Sequence, residues 1–116
     1  MSRFIFLLAG SMMLLQGALA AEVQLSGAQI TDLLTDNVLY GESDGRATDQ
    51  IFQKNGVTYY HIGSGQSQGQ WKVEGDQFCS QWPPNPAWVC YDVTREGQHV
   101  VFISRTGERT DMILSK

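Results

Sequence analysis

Short segments typical of β-strands, separated by tight turns, fill the chain from Val38 onward, and this spacing constrains the fold more than any other feature. Asn55-Gly56 lies between the predicted strands Asp49–Lys54 and Val57–Ile62, and both turn residues tolerate the positive φ that a two-residue hairpin needs. Tight connections make neighbouring strands antiparallel, because a parallel pair needs a long crossover. We therefore predict a mainly β fold: a small antiparallel meander of about seven or eight short strands, forming either a curved sheet or a barrel.

The other predicted strands have similar lengths. They are Val38–Tyr40, Gln70–Val73, Gln77–Trp82, Ala87–Thr94, Gln98–Ser104 and Arg109–Leu114. The stretch Gly63–Gly69, rich in Gly, Ser and Gln, is predicted to be a flexible loop. It contains Gly65-Gln66-Ser67-Gln68-Gly69, which matches the G-x-S-x-G nucleophile elbow, but that motif requires a helix after the serine, and here a strand is predicted. We therefore interpret the segment as a loop and not as a catalytic elbow.

One helix is predicted near the start of the domain. Ser26 and Gln29 have the spacing of a capping box, in which each side chain bonds the backbone amide of the other. Leu25 and Ile30 occupy the two positions of a hydrophobic staple. The apolar residues that follow repeat at helical spacing: Ile30, Leu33 and Leu34. We expect the helix to end near Thr35–Asn37 and, because so short a helix is unstable alone, to pack on the sheet as a lid or plug.

Residues 1–20 have the three parts of a secretory signal peptide. A charged start at Arg3 precedes the apolar stretch Phe4–Leu15, and Ala18-Leu19-Ala20 forms a small-x-small cleavage site. A membrane anchor is the alternative, which the sequence disfavours because the apolar run is shorter than the roughly 20 residues needed to span a bilayer. We therefore predict a single β domain at residues 21–116, periplasmic or secreted, without stable membrane insertion after cleavage.

The charge of the chain argues against nucleic acid as a partner. The whole sequence has a formal net charge of −4, and the predicted loss of Arg3 makes the domain one unit more negative. The charges are scattered, with no basic stripe and no run of like charge. A protein with this balance binds nucleic acid and anionic membranes poorly.

Cys79 and Cys90 are the two cysteines of the chain, and an even count in an exported protein predicts a disulfide. Closing so short a loop should stabilise the fold by about 2–3 kcal/mol. The alternative is a pair of free or metal-binding thiols, but a zinc site would need two further ligands, and His61 and His99 are distant in sequence. We predict no metal and no cofactor.

The same disulfide predicts the register of a hairpin whose tip holds three prolines. In that register Phe78 lies opposite Tyr91. Gln81 lies opposite Trp88. Strand alternation then divides the hairpin between two faces: a core face with Phe78, Trp82, Val89, Tyr91 and Val93, and an opposite face with Cys79, Cys90 and Trp88. The prolines cannot donate to a ladder, so they belong at the tip.

The segment Trp71–Cys79 has the pattern W-x-V-x-G-D-x-x-C, and Cys90 follows it. Further positions of the same set are Leu25–Ile30, Leu33, Leu34, Gly41, Asn55, Gly56, Gly69, Gln70 and Gly107. This set resembles a family of short, uncharacterised periplasmic proteins of proteobacteria, over nearly the whole domain. The resemblance implies a secreted all-β domain and supplies no catalytic residue. The proline-rich tip, Trp82–Trp88, departs from the family pattern.

The tip is the best candidate binding site in the sequence. Trp82, Pro83, Pro84, Pro86 and Trp88 combine rigid aromatic and proline side chains, which make good interface anchors. The alternative is that both tryptophans shield the disulfide and close the end of the barrel.

Other polar residues have simpler interpretations than catalysis. Asp32 and Asp36 are consistent with a solvated helix face, and Glu74 and Asp76 with a polar turn. His61 lies near a predicted strand end, without an identified partner, and the same holds for His99. We predict no catalytic residue.

These observations favour a non-catalytic binding or interaction module of the cell envelope. Its expected partner is an envelope protein, and inhibition of that partner is one form the function could take. Small secreted barrels that inhibit metalloproteases offer a loose analogy. A small-ligand carrier is the alternative, less favoured because Phe52, Phe78, Tyr91 and Phe102 would fill a small barrel. A hydrolase-type enzyme is third, since it would need a deep polar pocket that gathers a histidine with a carboxylate.

Overall fold

The computed structural model describes residues 21–115, which form a closed eight-stranded antiparallel barrel with one further strand and a short helix. The predicted signal peptide, residues 1–20, lies outside the described residues. Strand β1 spans Val23–Gln24 and helix α1 spans Gly27–Leu34. The barrel strands are β2 Val38–Ser43, β3 Arg46–Phe52, β4 Val57–Ile62, β5 Gly65–Glu74, β6 Gln77–Gln81, β7 Val89–Glu96, β8 His99–Ile103 and β9 Arg109–Ile113. The predicted antiparallel meander is confirmed.

Closure of the sheet decides between the two predicted architectures. Each strand from β2 to β9 pairs with the next, and β9 returns to β2 through the Tyr40–Ile113 pair. Strand β1 adds to the edge of β7 beyond the end of β6, where Gln24 pairs with Thr94. Closure removes the exposed strand edges that an open curved sheet would present.

The β3–β4 hairpin is confirmed, but its loop has three residues instead of two. The Gln53 N–H donates to the Val57 carbonyl at 2.9 Å, and Phe52 pairs with Thr58. Gly56 alone in this loop has a positive φ, 92°, as a three-residue hairpin with a glycine bulge requires. The extra residue shifts the pairing of the two strands by one position.

Most of the segment Gly63–Gly69 is strand and not loop. Gly63 and Ser64 form the turn after β4, strand β5 begins at Gly65, and its first half pairs with β4 from Ile62 back to Thr58. The composition predicted a loop because glycine, serine and glutamine have weak strand preferences, which a ladder with a neighbouring strand overrides.

Helix α1 begins and ends as predicted. The Ser26 Oγ accepts the Gln29 N–H at 3.2 Å, and the Gln29 Oε1 accepts the Ser26 N–H at 2.8 Å. A Cβ atom at Gly27 would stand 2.1 Å from the Gly75 carbonyl oxygen, so only glycine permits this approach of the helix to the β5–β6 turn. Within residues 21–115, no helix is long and apolar enough to cross a membrane.

The hydrophobic core joins the apolar side of α1 to the barrel interior. It consists of Leu25, Ile30, Leu33, Leu34, Leu39, Phe52, Trp71, Phe78, Val93, Val100, Phe102 and Met112. Trp71 is 8% exposed, meets Phe52 edge-to-face at a centroid distance of 5.8 Å, and donates its Nε1 proton to the Gln53 carbonyl at 2.8 Å. The Trp71 ring is therefore a core residue with a satisfied indole N–H.

The β6–β7 hairpin has the predicted register at the disulfide. Cys79 pairs with Cys90, and their sulfurs are bonded. The ladder extends only as far as Ser80 and Val89, so the predicted pair of Gln81 with Trp88 does not form.

The proline tip explains where this ladder stops. Prolines supply no N–H for a ladder, and the Gln81 Nε2 instead donates to the Pro86 carbonyl at 2.7 Å. On the predicted core face Phe78 and Val93 are buried, while Trp82 and Tyr91 are half-buried. The prediction for Val89 is wrong: it is 45% exposed, because it forms the last pair of the ladder beside the tip.

Candidate functional site at the open end of the barrel

The two ends of the barrel differ in what covers them. Helix α1 lies over the end that carries the β3–β4 and β5–β6 turns, which we call the closed end. There the Gly27 N–H donates to Asp76 Oδ1 at 2.8 Å, and the Asp36 N–H donates to the Phe52 carbonyl at 2.7 Å. The other end carries the β2–β3, β4–β5 and β8–β9 turns and the proline-rich tip. No helix within residues 21–115 covers it, and we call it the open end.

A cavity of about 370 Å³ lies in the barrel at the open end, and we call it the cup. Its aromatic lining residues are Tyr60, Phe78, Trp82, Tyr91 and Phe102. Its polar lining residues are Gln50, Ser67, Ser80 and Thr110, and Pro83 and Met112 complete the wall. Since Ser67, Pro83 and Thr110 are exposed, the cup opens to solvent. A concave, mainly apolar cavity with a few polar groups is typical of small-molecule sites.

Trp82 turns inward from the proline tip and forms one wall of the cup. It packs over Gly69, where a Cβ atom would stand 2.7 Å from the indole ring and 2.5 Å from the Gln81 carbonyl oxygen. The ring meets Tyr60 edge-to-face with centroids 6.4 Å apart, and its Nε1 donates to Ser80 Oγ at 3.2 Å. The missing side chain at Gly69 therefore makes the room that Trp82 occupies.

The polar groups of the cup offer both hydrogen-bond donors and acceptors. Gln50, Tyr60 and Ser67 lie side by side, because each is the register partner of the next. The Gln50 Nε2 donates to Thr58 Oγ1 at 3.0 Å, which leaves the amide oxygen as an acceptor. The Ser80 Oγ accepts an indole N–H, so its own proton can be donated elsewhere.

Trp88 lies on the outer face of the barrel, apart from Trp82. The Nζ atom of Lys72, the register partner of Cys79, lies 4.3 Å from the centroid of the Trp88 ring, within the range of a cation–π contact. Cys79 is fully buried on this side of the sheet. Trp88 is 37% exposed, and Pro84 and Pro86 are exposed as well. The structure thus places the five residues predicted for the tip at two sites: Trp82 and Pro83 at the cup, the other three outside it.

One cluster of potential metal ligands occurs among the described residues. Ligand atoms of Glu74, Cys79 and Cys90 lie within 4.8 Å of one another. The two sulfurs are bonded to each other and so are not thiolates, the form that binds metal. The remaining carboxylate forms an ion pair with Lys72 at 3.3 Å.

His61 lies on the outer face of the barrel between two acceptors. Its Nδ1 is 2.7 Å from Asp49 Oδ1, and its Nε2 is 2.9 Å from Gln66 Oε1. The hydrogen bond to the Asp49 carboxylate, followed by the one to Gln66, raises the pKa of His61 above its ordinary value of 6.5. Two acceptor partners suit the doubly protonated ring, in which both nitrogens donate.

The residues weighed as catalytic candidates do not converge on one site. Ser67 lies within β5 and lines the cup. His61 follows Tyr60, the register partner of Ser67, and therefore faces the opposite side of the sheet. Asp36 Oδ1 accepts the Lys54 N–H at 3.3 Å, and Asp76 holds the start of the helix. These two carboxylates therefore have structural roles at the closed end.

Larger clefts occur elsewhere on the described surface, but their chemistry differs. A cleft of about 640 Å³ beside α1 includes Asp32 and Arg95, and one of about 720 Å³ includes Glu22 and Arg109. The Glu22 and Arg109 side chains already form an ion pair with each other at 2.6 Å. A hydrogen bond from Thr94, followed by that of Arg109, lowers the pKa of Glu22 below 4.5. The cup is smaller, but it alone of these three clefts has an aromatic wall inside the barrel.

Sequence analysis identified Trp82 and Pro83 and missed the polar half of the cup. Gln50, Ser67 and Thr110 are polar residues at inward-facing positions, where alternation predicts apolar ones. The signal that could have found Gln50 and Ser67 is the register of β3, β4 and β5, which aligns Gln50 with Tyr60 and Tyr60 with Ser67.

Comparison with protein-family models, with curated proteins and with solved structures finds no match. The resemblance to periplasmic proteins of proteobacteria therefore stays a prediction.

Proposed function

We propose that this protein is a non-catalytic binding module of the cell envelope and that it takes a small molecule into the cup. The observation that carries the proposal is the cup itself, about 370 Å³ in volume and lined by five aromatic side chains. Small-molecule sites commonly have roughly 300–1,000 Å³, and eight-stranded barrels are wide enough to hold one small ligand. The bonded cysteines support the exported location, since disulfides persist in oxidising compartments.

The carrier hypothesis gains weight because the large apolar residues are distributed unevenly. Phe52 packs with Trp71 under the helix, whereas Tyr91 and Phe102 contribute to the wall of the cup and leave space beside them. The contacts that hold Trp82 in place reduce the side-chain ordering that a ligand would have to impose, which favours affinity.

Titration by two-dimensional NMR tests this proposal, with 1-octanol and 1-naphthol as probes. The protein is produced from the full sequence with the disulfide formed. Binding in the cup should shift the indole N–H signal of Trp82 and leave that of Trp71 unchanged. Ser67→Phe fills the cup and should abolish the shift. Gln68→Phe, one residue along the same strand on the outer face, is the matched control and should retain it.

Two results contradict the proposal. The first would be that neither probe shifts the Trp82 signal in the wild-type protein. The second would be that Ser67→Phe binds both probes as well as Gln68→Phe does. Folding of each variant is checked by the dispersion of its amide spectrum before binding is compared.

A second candidate is binding of an envelope protein, including inhibition of one, through the outer side of the tip. It is favoured by the exposure of Trp88 at 37% together with that of Pro84 and Pro86, since aromatic anchors are typical of interfaces. Affinity capture from periplasmic extract would use wild-type protein, Trp88→Ala and Trp82→Ala as baits. A partner lost by Trp88→Ala and retained by Trp82→Ala would support this function, and equal capture by all three would contradict it.

A further inference from the structure

We infer that the cup selects a neutral, planar aromatic molecule of one or two rings that carries a hydrogen-bonding group. This inference rests on the proposed small-molecule function and adds the chemical class of the ligand. Three properties of the cup lead to it: the absence of charge in its lining, the geometry of its rings, and the placement of its polar groups.

The charge of the lining points to a neutral ligand. The described residues that line the cup include no Asp, Glu, Lys, Arg or His, and their polar groups are hydroxyls, one amide and one indole N–H. Arg109 and Asp111 are charged and flank Thr110 in β9. Because side chains alternate along a strand, they lie on the outer face of the barrel. An ionised ligand would lose its water in the cup without gaining an opposite charge, which is unfavourable.

The geometry of the rings points to an aromatic ligand. Tyr60 and Trp82 meet at an interplanar angle of 76°, and deeper in the cup Tyr91 and Phe102 meet at 88°. In an edge-to-face pair, the two rings cover only one ring face between them. Gly69 lies against one face of the Trp82 ring, and neither Tyr60 nor Trp82 has a further ring partner within the described part of the chain, so a ligand ring can stack on a face that remains uncovered. An aliphatic ligand would bury apolar area there but would lack this ring–ring term.

The polar groups point to a ligand with a hydroxyl or N–H group. The side chains of Ser67 and Thr110 make no hydrogen bond to another side chain or backbone group of the described residues, and Gln50, which has a free amide oxygen, lies on the other side of Tyr60 from Ser67. A pure hydrocarbon would displace water from these groups without replacing its hydrogen bonds, which lowers affinity.

The volume limits the size of the ligand. An apolar cavity of about 150 Å³ holds one benzene molecule. The cup, at about 370 Å³, therefore has room for one or two fused rings with a small substituent.

Three probes with the same ten-carbon bicyclic ring framework test the inference. They are 1-naphthol, which is neutral and aromatic, decahydro-1-naphthol, which keeps the hydroxyl but is neither planar nor aromatic, and 1-naphthoate, which keeps the rings but is charged. Dissociation constants are measured at neutral pH from NMR titrations of the protein produced from the full sequence, with the disulfide formed. We expect 1-naphthol to bind at least tenfold more tightly than each of the other two, a difference of about 1.4 kcal/mol.

Variants then locate the selectivity. Trp82→Leu should weaken binding of 1-naphthol about tenfold and leave binding of decahydro-1-naphthol nearly unchanged, because only the ring contact is lost. Trp88→Leu is the matched control on the outer face and should leave both dissociation constants unchanged. If Trp82→Leu does not fold, Tyr60→Leu supplies the same comparison.

The outcomes separate this inference from the proposed function. If decahydro-1-naphthol or 1-octanol binds in the cup as tightly as 1-naphthol, the aromatic class is wrong. If 1-naphthoate binds as tightly as 1-naphthol, the selection of a neutral ligand is wrong. In both cases the small-molecule function stands. If 1-naphthol, decahydro-1-naphthol and 1-octanol all fail to bind, both are wrong. Equal weakening by Trp82→Leu and Trp88→Leu would show that the ring pair at the mouth does not select the ligand.

Discussion

The closed and open ends of this barrel are built by the same meander, and they differ in what the inward-facing positions carry. At the closed end, Ile30, Leu34 and Phe52 are fully buried, and the helix seals them. At the open end the inward positions hold Gln50, Ser67 and Thr110 beside aromatic rings. One well-packed end supplies the burial that stabilises a small domain, and the other end can then carry polar groups that a continuous core would exclude. The closed end of the barrel thus stabilises the fold, and the open end provides the candidate binding site.

The largest expected effect comes from truncating the helix plug. Leu34→Ala should lower the free energy of unfolding by about 2–5 kcal/mol, because it leaves a cavity in a fully buried region. Ser67→Ala at the open end should change the free energy of unfolding by less than about 0.5 kcal/mol. Urea denaturation followed by circular dichroism measures both. Similar losses at the two positions would break the distinction between the ends.

Removal of the disulfide should have the next largest effect. The double substitution Cys79→Ala, Cys90→Ala should lower the free energy of unfolding by about 2–3 kcal/mol, since the bridge restricts the unfolded chain. The meander should persist, because the bridge spans only one hairpin. The far-ultraviolet spectrum reports the retained strands. Equal urea midpoints for the oxidised and reduced wild-type protein would contradict a stabilising role.

The substitution Gly69→Ala tests whether Gly69 makes room for the Trp82 ring. The new Cβ atom would clash with the Gln81 carbonyl and the indole ring, so we expect a loss of about 1–3 kcal/mol in the free energy of unfolding. The Trp82 indole signal should also move in the NMR spectrum. Gly65→Ala in the same strand is the control, since its nearest neighbour would lie at 3.4 Å. An unchanged Trp82 signal in Gly69→Ala would show that Gly69 does not shape the cup.

The smallest expected effect is the pH dependence that His61 adds on the outer face. Its pKa is raised in the folded protein by Asp49 and then by Gln66, so the charged ring stabilises the fold. This contribution is fully present below the unfolded pKa of about 6.5 and is lost as the pH rises through the folded pKa. Stability of the wild-type protein should therefore decrease from pH 6 to pH 8 relative to His61→Gln. Parallel changes in both proteins over this interval would assign the pH dependence to other groups.

The features that could be predicted from the sequence are those set by neighbours in the chain. The capping box depends on Ser26 and Gln29 alone, and the short connections force antiparallel pairing whatever the strands carry. The register at Cys79 and Cys90 followed from one covalent constraint. The strand at Gly65 was missed because its stability comes from its partner strands and not from its own composition.

In the candidate site, too, some residues could be predicted from their neighbours in the chain and others could not. Trp82 and Pro83 stand out locally as an aromatic residue followed by proline. The cup around them depends on which side chains point inward, and that depends on strands distant in sequence. Trp82 occupies its place because Gly69, on another strand, leaves room for the ring, which no local pattern indicates.

The sequence by itself determined that this chain forms an antiparallel β domain with a capped helix at its start and a bridged hairpin. The tertiary structure decided that the sheet closes and which residues face the cup. The β3–β4 loop shows the reason: a two-residue turn would place Tyr60 opposite Ile51, whereas the observed three-residue loop places it opposite Gln50. Side chains alternate between faces with a period of two, so a shift of one residue exchanges the inner and outer faces of one strand relative to its partner. Packing of Phe52 against Trp71 and Phe78 in the core favours the observed register.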